Sequence, residues 1–393
     1  MRIAPVLLLL ALGGCAAAAP RPPARASLGT TAPQIVTPDV DGTEEGLLAR
    51  GEKALETQDW ALAKRCFGAV VAAEPQSLRV RMRATFGLAV ASEGLGERDR
   101  ARELYAVILR DTDDPREARS ASVRTLGLLA YLEAWPELGT AAAKLLERTD
   151  LDPVDRMTGL GARGLSRIEA GDVDGAQRDV QNGLDIVDEN RFGAGGKLPA
   201  AVAQLRFAAG EIRRLEAERI VLFPVTDDFV VRVSARCQGL LDAQGLYADA
   251  MRADDPHWIT MSGYRVGQMY RALHRELMNI PPGGRAKDEH QRQVFYGIMH
   301  LRYRALLDKG IEMLRRTLVT AERVGDTSPW VERAKTDKAE MELALDEEKK
   351  TIATFPFNEG EIELALVLLE KEDRAKREKL ANTPKLQPQT QTH

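Results

Sequence analysis

The chain is short of the residues that metal sites and nucleophilic catalysis depend on: its 393 residues include only 5 histidines and 3 cysteines. His257, His274, His290, His300 and His393 form no HExxH pair, and His274-Arg275-Glu276-Leu277-Met278 lacks the second histidine a helical zinc site requires. His290 and His300 have no ligand cluster around them, so solvated or partly packed rings are expected. There is no GxSxG, and neither Cys66 nor Cys237 has a histidine nearby in sequence. No catalytic residue, metal, cofactor or small-molecule substrate is expected. An excess of one charge sign is also missing: 59 acidic residues face 55 basic ones, so no broad basic field exists to draw in nucleic acid. No apolar run beyond the N-terminal stretch approaches the roughly 18 residues of a membrane-spanning helix. Aromatic residues make up only 5% of the chain. What dominates is Ala, Leu, Arg and Glu, side chains that lose little rotamer freedom in a helix, and the reading is all-α.

The N-terminus has the three-part order of a secretion signal. Met1-Arg2 is positive, Pro5 to Leu12 is apolar but too short to span a bilayer, and Gly13-Gly14-Cys15 follows. Leu12-Gly13-Gly14-Cys15 resembles the lipobox of bacterial lipoproteins, in which the cysteine is acylated and becomes the first residue after cleavage. The resemblance implies a signal peptide over 1–14 and lipidation of Cys15. Ala16, which is not the aspartate of inner-membrane retention, implies the periplasmic side of the outer membrane. The acyl chains would then be the only contact with the membrane, firm because each buried methylene adds about 0.8 kcal/mol. Residues 15–43 are rich in Ala, Pro, Ser and Thr and read as a tether with a reach of roughly 30 Å. At the other end, 356–393 reads as a charged helix end, with closely mixed signs over Glu370–Lys379, and then a disordered polar tail. Cys66 and Cys237 are expected to be buried free thiols, since one pair far apart in sequence is poor evidence for a disulfide.

Between these ends the strongest signal is a repeat. With Glu44 as the first residue of a unit, Leu47, Gly51, Asp59-Trp60, Ala63, Phe67 and Pro75 fall in a single register. That register resembles the 34-residue tetratricopeptide repeat, whose small residues let two antiparallel helices approach closely. A second unit over 82–115 has Gly96-Glu97, Ala101, Tyr105 and Pro115, with Ala89 where the first helix would carry glycine. A third near 120–152 has Leu126-Gly127, Trp135, Gly139 and Ala143. A fourth near 157–190 has Gly164, Gly171-Asp172, Ala176 and Asp188. The resemblance implies a helix-turn-helix superhelix over 44–190.

The glycine-rich stretch Asn190 to Pro199 lacks the spacing of a phosphate-binding loop and reads as a hinge between two helical halves. A second helical region over 198–355 is expected to carry longer helices: Pro199–Glu218, Asp227–Ala253, Pro256–Asn279, Arg285–Val324 and Ser328–Phe355. Pro224, Pro256, Pro281-Pro282 and Pro329 punctuate them. Val266-Gly267 and Tyr270 match a tetratricopeptide first helix, so this region reads as degenerate repeats. Val221-Leu222-Phe223-Pro224-Val225 reads as a buried linker, a lone strand having no partner. Trp258, Tyr264 and Tyr270, with Arg265, Arg271 and His274, form the densest aromatic and cationic group; packing is favoured over a recognition patch.

A stacked array offers one extended face built from the first helix of each unit. The groove positions of the first two units are Glu45, Leu48, Glu52 and Leu55, then Arg83, Phe86, Val90 and Glu93. Their mixture of apolar and charged side chains fits a peptide groove and equally fits contacts between repeats. The expected role is protein binding, with other cell-envelope proteins as partners. Tyr264-Arg265-Val266-Gly267, Pro281-Pro282, Tyr303-Arg304, Asp308-Lys309 and Pro329-Trp330 resemble the stretched-helix pattern of tetratricopeptide lipoproteins in gliding-motility envelope machinery. That resemblance implies a non-catalytic scaffold. The alternatives are an assembly factor of barrel-assembly or secretin-pilotin type, and a periplasmic enzyme with its site at the hinge.

Overall fold

The computed structural model describes residues 42–193, 198–226, 228–253, 255–282 and 288–358, with 360–365, 367, 368, 371 and 375. The signal, Cys15, nearly all of the tether and most of the tail therefore lie outside the described residues. Those described form thirteen α-helices, one 3-10 turn at Met251–Ala253, and no strand. The all-α reading holds. The helices are α1 (Glu44–Glu56), α2 (Trp60–Ala72), α3 (Leu78–Gly94), α4 (Arg98–Asp111), α5 (Pro115–Tyr131), α6 (Trp135–Leu146) and α7 (Pro153–Glu169). There follow α8 (Val173–Glu189), α9 (Ala200–Glu218), α10 (Phe229–Ala250), α11 (Pro256–Met278), α12 (Glu289–Val324) and α13 (Pro329–Ala353).

Many helices begin where a side chain satisfies a free amide. Thr43, Asp59, Asp152, Asp172, Asp255 and Asp288 each accept from the backbone N–H three residues on, at 2.7–3.2 Å. Proline opens α5, α7, α11 and α13, at a position whose missing N–H costs nothing. Four turns share one geometry. Gln58, Gly96, Glu133 and Gly171 all take positive φ, at 58°, 76°, 56° and 82°, just before the next helix starts. After three of them the following amide reaches back to the preceding helix: Asp59 N to Ala54 O at 2.8 Å, Glu97 N to Ser92 O at 2.8 Å and Asp172 N to Arg167 O at 2.9 Å.

The chain divides into two compact units between Leu129 and Ala130, within the last turn of α5. In the first unit α2 packs against both α1 and α3. Phe67 of α2, 1% exposed, is the pivot. A Cβ on Gly51 would lie 2.8 Å from its ring and one on Gly87 only 2.4 Å, so both helices approach it at glycine. The close approach on α3 is thus made by Gly87, with Ala89, the expected small residue, fully buried beside it. Burying a ring of this size contributes roughly 1.5–3 kcal/mol.

In the second unit α7 packs on α6, α8 and α9, then α9 on α10, α11 on α12 and α12 on α13. Because α9 also packs on α8, the stretch expected to hinge two halves is a connector inside one unit. Glycine also sets close approaches here: a Cβ on Gly267 would lie 2.5 Å from Leu314 of α12, and one on Gly310 would meet Met341 of α13. Residues 221–225 form no strand; Leu222 and Val225 point inward while Val221 and Phe223 are exposed, so the linker is only half buried.

Candidate functional site: a helical face and an arginine-lined cavity

The eight predicted groove residues divide into four kinds. Leu48 is 3% exposed and belongs to the core of the first unit, which removes it from any groove: α2 and α3 both pack against α1 and cover it. Leu55, Phe86 and Val90 are half-buried on that core. Phe86 meets Tyr105 edge-on, with ring centroids 5.8 Å apart. Glu45 stands exposed at the start of α1. The remaining three residues tie helices together. Arg83 Nε donates to Glu52 Oε1 at 2.6 Å, and Glu93 receives Arg124 Nη1 at 3.0 Å, each pair spanning 31 residues and joining α1 to α3 or α3 to α5. Glu93 also accepts from the buried Tyr105 hydroxyl at 2.7 Å, and burial followed by this carboxylate pushes the phenol well above its ordinary range. The first helices thus present apolar side chains between ion-paired rungs.

The aromatic and arginine group of α11 splits by side-chain type. Trp258 and Tyr264 are each 6% exposed. They pack, Trp258 on Phe207 at 5.4 Å and Tyr264 on Trp330 at 5.2 Å. Half-buried Tyr270 donates to Gln244 at 2.8 Å. The arginines do something else. Arg265, Gln268, Arg271, Ala272 and Arg275 recur at helical spacing along α11, and Arg214 and Glu218 face them from α9 across a cavity of about 380 Å³.

Behind that cavity lies a buried acid. Glu211, 1% exposed, accepts from Tyr247 Oη at 2.6 Å, Arg265 Nε at 2.8 Å and Arg214 Nη2 at 2.7 Å. Burial alone would raise its pKa, but the two guanidiniums outweigh that and hold the carboxyl below its ordinary range. Burial and Glu211 together push the Tyr247 phenol far up, so it donates as a neutral group. Arg214 also binds Glu218 at 2.6 Å, Arg265 binds Gln268 at 2.6 Å, and Arg271 is held by Asp337 at 2.8 Å and by Glu340. A similar buried acid stands between α7 and α8: Asp179, 2% exposed, takes both Arg163 and Arg167.

Sequence reading missed one more cluster. His274 Nε2 lies 2.7 Å and His300 Nδ1 3.5 Å from the two carboxylate oxygens of buried Glu348, joining α11, α12 and α13. His300 is therefore packed, whereas His290 is exposed against Phe357 at 5.5 Å. No set of three or more histidine, cysteine or acidic residues is placed to hold a metal among the described residues. Cys66 and Cys237 are both free, with pKa values raised by burial, but Cys237 is half-buried and not enclosed as expected.

No known protein family matches the chain, and no curated protein does. Among solved structures, a tetratricopeptide repeat protein from Parabacteroides merdae is similar over 75% of this chain and 98% of its own, at 13% identity and a TM-score of 0.41. The TPR domain of P58(IPK) aligns over 78% of this chain and 99% of its own, at 13% identity and a TM-score of 0.14. The repeated turns and the glycine approaches around Phe67 describe an all-α chain of helices joined by short turns, independently of these alignments.

Proposed function

We propose that the chain is a protein-binding scaffold that recognises partners on the face of α1, α3 and α5. The observation that carries this reading is the row of half-buried Leu55, Phe86 and Val90 set between the Glu52–Arg83 and Glu93–Arg124 pairs. Such a row offers apolar area for a partner, and α1 and α3 beneath it are already packed around Phe67, so little ordering is required on binding. A photo-crosslinking residue at Val90 is expected to capture a discrete protein, and the same residue at exposed Val319 is not. Equal capture at both positions would reject the reading.

The proposed setting is a cell envelope, with the scaffold tethered through lipidated Cys15 on the periplasmic side of the outer membrane. Support comes from Leu12-Gly13-Gly14-Cys15 and the proline-rich stretch behind it. Cys15→Ala is expected to abolish lipid labelling and leave unprocessed precursor; normal processing would show that cleavage lies elsewhere. Gliding-motility components among the crosslinked partners would identify the machine, whereas barrel-assembly or secretin components would assign the chain to outer-membrane protein assembly.

A further inference from the structure

We propose that the cavity between α9 and α11 binds a carboxylate carried on a short aliphatic body. This goes beyond the scaffold reading, since the cavity belongs to the second unit and the proposed partner face to the first. Arg214 and Arg265 are anchored from behind by Glu211, and Arg271 by Asp337 and Glu340. Their guanidinium groups are therefore fixed before a ligand arrives, so the cavity wall beside Arg275 needs little ordering on binding. Arg275 is different: it is exposed, lines the same space, and has no ion-pair partner among the described residues.

Arg275 selects the ligand. The other three arginines are paired with Glu211, Glu218, Asp337 and Glu340, so Arg275 is the guanidinium at the opening with no ion-pair partner among the described residues. A single carboxylate matches it. A phosphate dianion would bring a second negative charge towards Glu218, which also lines the cavity. Ala272 lies exposed between the arginines on α11, over buried Met269, and supplies apolar surface for a few methylenes, whereas an inorganic anion would leave that surface wet. A cavity of about 380 Å³ holds a small organic acid or one acidic side chain with its flanking backbone.

The experiment uses the full chain, with pentanoate and a capped alanine peptide bearing one glutamate as probes, and inorganic phosphate and pentanol as comparators. Affinities are read by saturation-transfer NMR. At least one carboxylate probe is expected to bind, to weaken as salt is raised, and to bind roughly 1.4-fold to fivefold more weakly to Arg275→Gln, the range for one ion pair at a solvent-open rim. Arg275→Lys restores part of the loss, because an ammonium keeps the charge but not the fork. Arg252→Gln, at an exposed arginine outside the cavity, changes nothing. Pentanoate binding assigns a free acid as the source, and binding of the peptide alone assigns an acidic side chain of a polypeptide. Phosphate or pentanol binding as tightly as either carboxylate, no binding of either carboxylate, or indifference to Arg275→Gln would overturn the proposal. Because Arg275 is exposed and unpaired, its variants are expected to melt like the parent, and that is checked by circular dichroism. Loss of carboxylate binding with crosslinking at Val90 intact would remove this inference and leave the scaffold reading standing.

Discussion

Glu211→Gln is the most exposing perturbation of the second unit. The amide keeps the shape of the carboxyl but removes the charge that two guanidiniums share, with side-chain exposures of 16% for Arg214 and 18% for Arg265. One end of the amide must also point N–H groups at donors that formerly met an oxygen. Removing one partner of a buried ion pair costs about 3–5 kcal/mol. The lower end applies, because Arg214 retains Glu218 and Arg265 retains Gln268. For a unit of this size each kcal/mol moves the midpoint by about 2–4 °C, so a loss of about 3 kcal/mol becomes roughly 6–12 °C. Circular dichroism during thermal and urea unfolding measures it. The pH dependence supplies an independent sign. Glu211 titrates below its ordinary 4.5 in the folded chain, so its contribution is complete above that value and is lost as pH falls through the lowered pKa. The gap between parent and Glu211→Gln should therefore narrow in acid. A loss under about 1 kcal/mol at neutral pH, or a gap that widens in acid, would refute the claim that Glu211 organises the two arginines.

The other expectations concern the turns, the glycine contacts and the histidine cluster. Gln58 and Glu133 hold positive φ where Gly96 and Gly171 stand in the equivalent turns; Glu133 also pairs with Arg333 at 2.7 Å, so the clean test is Gln58→Gly, which should stabilise by up to about 1 kcal/mol in urea unfolding. Gly87→Ala improves helix propensity yet places a methyl group against the Phe67 ring; a net destabilisation of about 1–3 kcal/mol is expected, and a gain in stability would show that the ring has room to move. Burial alone would raise the Glu348 carboxyl, but hydrogen bonds from His274 and His300 bring it down to about 2. Its stabilisation is complete above its ordinary 4.5 and is lost as pH falls through about 2, so Glu348→Gln should flatten the acid limb of the unfolding profile.

Much of this architecture was legible because it depends on local chemistry. Asp before proline or an apolar run marks α7 and α11, and glycine before an acidic residue marks the turns at Gly96 and Gly171. Small residues in the register of the first unit predicted the approach of α1 to Phe67, but the corresponding contact on α3 fell to Gly87, because a neighbouring glycine permits a closer approach than Ala89. Leu48 was misjudged for a related reason: a helical period assigns a stripe of residues to one face but does not say how far the adjacent helix wraps over it. The buried charges were the least legible. Glu211 lies 54 residues from Arg265 in sequence. Glu348 is farther still from His274. Only the arginines at 265 and 271 gave a signal, and nothing local marks which acid will meet them.

The position of these charges bears on how the two units keep their form. In the first unit glycine and an aromatic ring set the spacing between helices, and the ion pairs on the first-helix face are solvent-exposed, at 40–49% for Glu52 and Arg83, so they add little stability. In the second unit the helices are longer, and sliding one past another by a turn would still bury apolar side chains. Glu211 penalises such a slip, because it would lose three donors at once while remaining buried, and Glu348 would lose its ion pairs with His274 and His300. Replacing Glu211 and its arginines together by apolar residues should then recover much of the stability lost in Glu211→Gln while broadening the amide spectrum of α9 to α11. Recovery with equally sharp resonances would show that packing alone determines the register.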